Sequence, residues 1–391
     1  MLIAIEQLAQ QIAQLGGRLY LVGGAVRDRF LSIVAKDKDY VIEGLNENII
    51  ESHFINWHKV GHAFAVYKVK IDGEWIDIAL ARKESKQGKR HQDFLTIADQ
   101  DITLYEDLNR RDFTVNAMAI DVLTDTLYDP YYGKEDLERG QLRAVSEAFL
   151  EDPLRVYRAG RFAAVYGFTV EKRTMLWIDQ ILPETNALPA ERILQEWTKA
   201  LATTRPFAFL DFIFRLQGEE AFFHSLKKTW WTKRMEPSWV LFVESVFHDT
   251  VDLALRITAL MTLWPYEEVV PFLKKMPLSS KMMDSILLFL DPRFSPNADI
   301  FASYHQLATM LYLVERSKLE VSSYCWLHAI WDQSIGRQTQ QVWSEIPTLY
   351  QTVKNNWKIK VMNNPELLSK PKEIRDTIWN DELVARITKH V

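Results

Sequence analysis

Two patterns of apolar and polar positions divide the chain. Up to about residue 145, short β-branched or aromatic runs such as RLYLVGG, AFAVYKVKI, EWIDIAL and FTVNAMAIDV alternate with helical stretches. That alternation predicts a sheet with helices packed on it. Beyond it, DPLRVYRAGRFAAVYG, ERILQEWTKALA, FAFLDFIFRLQ and VDLALRITALMTLW repeat their apolar positions near 3.6, and Pro183, Pro189, Pro206 and Pro237 punctuate them. The remainder therefore reads as all-helical, and the fold class as α+β. Glycine follows the same division: ten of the fourteen lie at or before Gly140. The many Trp and Phe of the second half fall at helical spacing, which marks them as core.

Size and charge narrow this picture. A chain of 391 residues is more than one core organises, so roughly two to four domains or subdomains are expected. No apolar run approaches a membrane span, and the amino terminus carries Glu6 and several glutamines where a signal peptide would be apolar. A soluble, cytoplasmic protein is expected, without a membrane or a protein partner. Cys325 is the single cysteine, which excludes an internal disulfide and a cysteine metal knuckle. The net charge of -5 gives no global pull toward nucleic acid, so any such partner needs a local basic surface.

The candidate chemistry begins at LYLVGGAVRDRFL. An apolar strand runs into Gly23-Gly24 and a helix follows, so unhindered backbone N–H groups converge on a point suited to a phosphate. Arg27, in the first helical turn, adds a guanidinium to a triphosphate there. In AKDKDYVIEG, Asp37 and Asp39 are two apart, which on a strand places both carboxylates on one face. Two carboxylates beside a triphosphate suit Mg²⁺, which takes one or two carboxylates plus substrate phosphates. Two such ions, roughly 3.5 to 4 Å apart, activate a hydroxyl and stabilise departing pyrophosphate.

GGAVRD followed by DKD resembles the active-site signature of the polymerase-β-like nucleotidyltransferases, and specifically the bacterial and eukaryotic (class II) tRNA nucleotidyltransferase and poly(A) polymerase family. The resemblance implies that Asp37 and Asp39 bind catalytic metal and that Gly23, Gly24 and Arg27 hold the triphosphate. It also implies a third carboxylate on a later strand, for which Asp77 in EWIDIALAR is the candidate. EDLNRRDFTVNAMAIDV is similar to the family's RRDFT-x-NA motif, so Asp112 and Asn116 would recognise the ribose 2′-hydroxyl and Arg111 would contact nucleotide. DPYYGKEDL, with Asp129, Gly133 and Asp136, looks like the family's short connector and is given a structural role.

EDPLRVYRAGRFA is the third match, in the place where the family has its protein template for the incoming base. On a helix Asp152 and Arg155 share a face, and Arg158 and Arg161 continue the row. C and A both present an amino donor beside a ring-nitrogen acceptor, which a carboxylate beside a guanidinium complements; G and U present the reverse order. LPAERI, with Glu191 and Arg192, resembles a motif that braces this helix, although a plain helix-start ion pair fits it too.

The resemblance spans roughly residues 20 to 195. It implies a nucleotidyltransferase head at 1–145 with a mixed sheet, a helical neck at 146–205 that selects the base, a helical body at 206–290 and a helical tail at 291–391 that binds tRNA. The expected reaction adds C or A from CTP or ATP to the 3′ end of tRNA with Mg²⁺ as cofactor. CC-only, A-only and poly(A) addition stay open, because ARKESKQGKRHQDFLTIADQ reads RHQDF where the family has an aromatic-containing loop. A small-molecule nucleotidyltransferase and a non-catalytic RNA-binding relative are the alternatives from other classes. Tail residues Lys354, Lys358, Lys360, Lys370, Lys372, Arg375, Arg386 and Lys389 exceed the five acids of residues 351–391 by three, a modest basic surface for RNA. His248-Asp249 reads as an ordinary surface pair.

Overall fold

The structure is a computed structural model, and it describes residues 4–35, 37–60, 66–71, 73–86, 94–218, 220, 222–262, 264–293, 304–316, 320–337, 339–363, 381 and 383–385. The chain forms two compact units, Met1–Leu188 with Leu216–Glu219, and Pro189–Arg215 with Glu220–Val391.

The first unit is built on a seven-stranded mixed sheet. Its strands are β1 (Arg18–Val22), β2 (Asp39–Glu43), β3 (His58–Val60), β4 (Val66–Ile71), β5 (Glu74–Leu80), β8 (Ala119–Asp121) and β9 (Leu127–Tyr128), with β6 (Arg82–Lys86) and β7 (Phe94–Ala98) forming a separate hairpin. The order across the sheet is β3-β4-β5-β2-β1-β8-β9. All neighbours are antiparallel except β2 and β5, which run parallel.

Period-two alternation separates the two faces. Leu19, Tyr40, Ile42, Tyr67, Val69, Ile76 and Ile78 turn one way and pack against Leu8, Ala9 and Ile12 of helix α1 (Ile5–Gln14). Tyr20, Val22 and Val41 turn the other way, against Leu104 and Leu108. Helix α2 (Gly24–Phe30) follows β1 directly, and α3 (Glu47–His53) follows β2. Leu104 and Leu108 belong to α4 (Leu104–Asn109), which a capping box between Thr103 and Glu106 starts; the Leu104 N–H also donates to Glu43 at 2.7 Å.

The run FTVNAMAIDV does not form one strand. Thr114–Asn116 is a 3₁₀ turn, and only Ala119–Asp121 joins the sheet. The connector overrides the β propensity of this run. Asp129 accepts from the Gly133 and Lys134 N–H groups and so starts α5 (Gly133–Glu138). Asp136 of α5 then accepts from the Thr114 hydroxyl at 2.5 Å and from Arg143 at 2.9 Å. The structural role expected of DPYYGKEDL is thus to fix the turn that carries Asn116.

Two short strands, β10 (Gln141–Leu142) and β11 (Thr169–Val170), pair in parallel around α6 (Leu154–Tyr166), so the chain beyond residue 145 is not wholly helical. Gly167, at φ +73°, ends α6 in the left-handed conformation, and α7 (Lys172–Ile181) completes the unit's longer helices.

The second unit is helical from Ala190–Leu201 to Gln340–Asn363. Its aromatic residues fill its interior: Trp197, Trp230, Trp239 and Phe223 are fully buried, and Trp230 stacks on Trp264 at 5.7 Å. Buried Arg256 donates to the carbonyls of Leu201, Thr203, Phe247 and Thr250 and so satisfies the ends of two helices. His248 and Asp249 are an exposed pair 2.8 Å apart. Among the described residues no helix is long and apolar enough to cross a membrane. Lys370, Lys372, Arg375, Arg386 and Lys389 lie outside the described residues, as do the side chains of Lys358 and Lys360.

Gly133 gives the test of the connector. A Cβ there would overlap the Thr114 carbonyl oxygen, a backbone atom that cannot step aside. Gly133→Ala is expected to lower stability by about 1 to 3 kcal/mol, as overpacking does. Urea unfolding measures it, and an unchanged midpoint would show that the connector does not fix the turn.

Candidate active site

The sheet register assembles the carboxylates. Asp39 opens β2 opposite Val22, the last residue of β1, and on its other side it pairs with Asp77 of β5. Register partners share a face of the sheet, so Asp39 and Asp77 stand side by side next to the Gly23-Gly24 turn. Asp37 lies in the bend before β2 and is exposed. It therefore stands outside the strand that the two-residue spacing suggested for both aspartates. Asp77 also meets Lys68 of β4, whose ammonium is 2.9 Å from the carboxylate. The Asp39 carboxyl holds its proton above the ordinary range: partial burial is the main cause, Arg111 opposes it, and the carboxylates of Asp77 and Asp37 add to the rise.

The glycine turn is closed from both sides. Gly23 has φ +68°, where a side chain is strained, and a Cβ on it would stand 2.8 Å from the Arg111 guanidinium. Its N–H donates to the Met118 carbonyl at 3.2 Å. The Arg27 guanidinium lies along Gly24 and is itself buried. It donates to Asp28 at 2.7 Å and to the Asn116 side-chain oxygen at 2.5 Å, and it sits over the rings of Phe162 and Tyr166 on α6.

Asn116 continues this chain. Its amide donates to Asp112 at 2.9 Å, and Asp112 also accepts from the Phe113 N–H at 2.8 Å and from Arg158 Nε at 2.7 Å. Burial alone would push the Asp112 carboxyl up, but the Arg158 guanidinium and the Asn116 and Phe113 donors hold it well below the ordinary carboxylate range. Arg27, Asn116, Asp112 and Arg158 are therefore one polar spine from the glycine turn to α6.

Asp107 was not visible as a site residue. Fully buried on α4, it binds Arg110 at 2.6 Å and Arg111 at 2.9 Å. Although burial raises its carboxyl, Arg111 and Arg110 together bring it below the ordinary value. The signal was present in EDLNRRD, where Asp107 stands three and four residues before the two arginines.

Asp152 and Arg155 come together differently from the helical row that their spacing suggested. Asp152 is extended and precedes Pro153, and its side chain accepts from the Leu154 N–H at 3.1 Å, at the start of α6. Arg155 donates to the Ala148 carbonyl at 2.8 Å and to the Arg110 carbonyl at 2.6 Å. Burial lowers its proton affinity, while Asp112 and Asp152 oppose that. Arg158 reaches Asp112, and Arg161 lies over the Phe162 ring at 4.5 Å. The hairpin of β6 and β7 frames the divergent loop, whose residues 87–93 lie outside the described residues.

Comparison with known proteins fits this geometry. Residues 19–143 match the poly A polymerase head domain, and residues 167–217 match the probable RNA and SrmB-binding site of polymerase A. Residues 19–143, about a third of the chain, thus carry the likeness to a poly A polymerase head. Among particular relatives, the multifunctional CCA protein of Stenotrophomonas maltophilia is 48% identical over 198 residues, 49% of this chain and 48% of that protein. The CCA-adding enzyme of Buchnera aphidicola is 43% identical over 211 residues, 53% of this chain and 50% of that protein. The chain spans about half the length of the curated relatives it matches. In fold, it resembles the Bacillus stearothermophilus CCA-adding enzyme in complex with CTP, with a TM-score of 0.64 at 22% identity over 99% of this chain and 96% of that one. It also resembles the Thermotoga maritima CCA-adding enzyme complexed with tRNA, with a TM-score of 0.59 at 21% identity over 98% and 94%.

The spine predicts a pH signature. Because the folded Asp112 carboxyl is depressed, its stabilisation is complete above the unfolded value of about 3.9 and is lost as pH falls below it. Asp112→Asn should lower stability by about 1 to 3 kcal/mol near neutrality, since Arg158 loses its charged acceptor. The gap in Tm between wild type and variant should hold steady from neutral pH down to about 5 and narrow below about 4. A gap independent of pH would show that Asp112 does not act as a charge.

Proposed function

We propose that the protein is a template-independent RNA nucleotidyltransferase that adds C, A or both from CTP and ATP to the 3′ end of tRNA. The observation that carries this reading is the register that stands Asp39 beside Asp77 at the Gly23-Gly24 turn. It gives adjacent carboxylates beside a glycine turn flanked by two guanidiniums, on a head whose curated relatives are named as CCA enzymes. Among the described residues no three carboxylate, histidine or cysteine groups close on one point. The donor set therefore fits an ion that takes two carboxylates and completes its shell with water and substrate phosphate, which is the habit of Mg²⁺. Bound there, Mg²⁺ would supply charge neutralisation at the attacking hydroxyl and at the departing pyrophosphate.

The chain's own groups divide the remaining work. Asp39 and Asp77 would hold the cation, and Asp37, in the bend before β2, would join them once the nucleotide is bound. The side-chain-free Gly23-Gly24 turn would let the triphosphate approach the Arg27 and Arg111 guanidiniums that flank it. Asp112 and Asn116 set the shape of the sugar end through the spine that fixes them. Asp152 and Arg155 present a carboxylate and a guanidinium to the incoming base. Two of the five N–H donors of Arg155 hold the carbonyls of Ala148 and Arg110, which fixes its plane before a base arrives. The polypeptide can then accept C and A and refuse G and U without a nucleic-acid template. We assign 1–145 to catalysis, 146–205 to base selection, and the body and tail, 206–290 and 291–391, to holding the RNA.

Incubation with labelled CTP or ATP and tRNAs ending at the discriminator base, at C or at CC tests this reading. Extension is expected on at least one of the three, and the pattern of products separates CCA, CC-only, A-only and poly(A) addition. Asp37→Ala and Asp39→Ala should each lower turnover by about a thousandfold or more while the fold persists. Failure to extend any of the RNAs, or near-wild-type turnover by either variant, would overturn it.

A further inference from the structure

The face of the head sheet that carries Asp39 and Asp77 is covered unevenly. Over β1 it meets Ile102, Leu104 and Leu108 of the second core cluster. Over β3, β4 and β5 it presents Lys68, Lys70 and Trp75 to solvent, with His58 on the adjoining edge strand. The other face of these strands is core, where Tyr67, Val69, Ile76 and Ile78 are buried. The exposed row therefore follows from the pleat and from no failure of packing.

Trp75 is 57% exposed. Its cross-strand partner is Lys70, and its ring centroid lies 5.8 Å from that of His58. Lys68, paired with Asp77 across the ladder, ties this strip to the carboxylates through its 2.9 Å contact. Lys59, on the same edge strand, pairs with Glu47 and Glu51 of α3 and takes no part. Trp75 precedes Asp77 by two residues on one face of β5, about 6.6 Å along the strand. An exposed indole beside ammonium groups, one such step from the carboxylates, has the parts of a single-strand nucleic-acid seat: a stacking platform that tolerates any base, and cations for the backbone.

We propose that this strip seats the end of the RNA to be extended, with a terminal base stacked on Trp75, the adjacent phosphate on Lys70, and the 3′-hydroxyl directed toward Asp77 and Asp39. The proposal rests on the RNA-extending reading above and adds to it the place where the primer lies. Charge complementarity selects RNA as the occupant, because the exposed Lys70 ammonium stands across the ladder from Trp75, where a phosphate would flank a stacked base, while Lys68 screens Asp77.

Steady-state kinetics of the full chain with a tRNA that wild type extends, and with the matching nucleotide, test it. Trp75→Ala should raise KM for the RNA roughly five- to hundredfold, the range that loss of one base stack gives. KM for the nucleotide should stay within about twofold, and Trp75→Phe should recover most of the RNA affinity. Lys70→Gln should flatten the salt dependence of RNA binding by about 0.7 in the slope of log K against log salt. An unchanged RNA KM in Trp75→Ala, with wild type active, overturns the primer seat and leaves the proposed reaction standing. Absence of extension by wild type on every RNA overturns the reaction itself, and the seat with it.

Discussion

The proposed site in the head depends on one non-local constraint, the parallel pairing of β2 with β5 that sets Asp39 against Asp77. Two carboxylates side by side are unfavourable unless positive charge lies near them. The fold supplies some of it: Lys68 binds Asp77, and Arg111 acts on Asp39. The Asp39 carboxyl still remains above its ordinary value. Partial burial is the main cause, with Asp77 and Asp37 adding to it, and a divalent cation bound as proposed would offset both.

The arginines around this cluster are held by buried acids, so their directions are set before any ligand arrives. Asp107 fixes Arg110 and Arg111 together, and Arg110 in turn offers its carbonyl to Arg155. Arg27 is pinned between Asp28, Asn116 and two aromatic rings. A buried polar network of this kind is stabilising only when every member is satisfied. Through this network α6 reaches the glycine turn by way of Arg158, Asp112 and Asn116, so the side chains proposed to meet the ligand are also ones that hold the fold.

Local patterns were legible in the sequence, and the contacts between them were not. Alternation located β1, β4 and β5, and the glycine pair located the turn, because period two and left-handed φ are properties of a few neighbouring residues. The spacing of Asp37 and Asp39 suggested one strand, yet the strand begins only at Asp39, where the ladder to Val22 starts. FTVNAMAIDV reads as a strand by composition, but Gly133 and Asp136, some twenty residues away, bend its first half into a 3₁₀ turn. Asp152 reads as helical by its distance from Arg155, whereas Pro153 keeps it extended and its carboxylate accepts from the Leu154 N–H at the start of α6. Asp107 escaped notice because its burial is set by the packing of α4, which no short window reports.

The central claim is that Asp39 and Asp77, placed together by register, form a cation site that the nucleotide completes. Electron paramagnetic resonance of Mn²⁺ titrated into the protein with a non-hydrolysable CTP or ATP analogue measures it directly and requires no turnover. The account predicts protein-dependent Mn²⁺ binding in wild type that weakens by about tenfold or more in Asp39→Asn, while the variant keeps its Tm. Mn²⁺ binding by Asp39→Asn equal to that of wild type would contradict it.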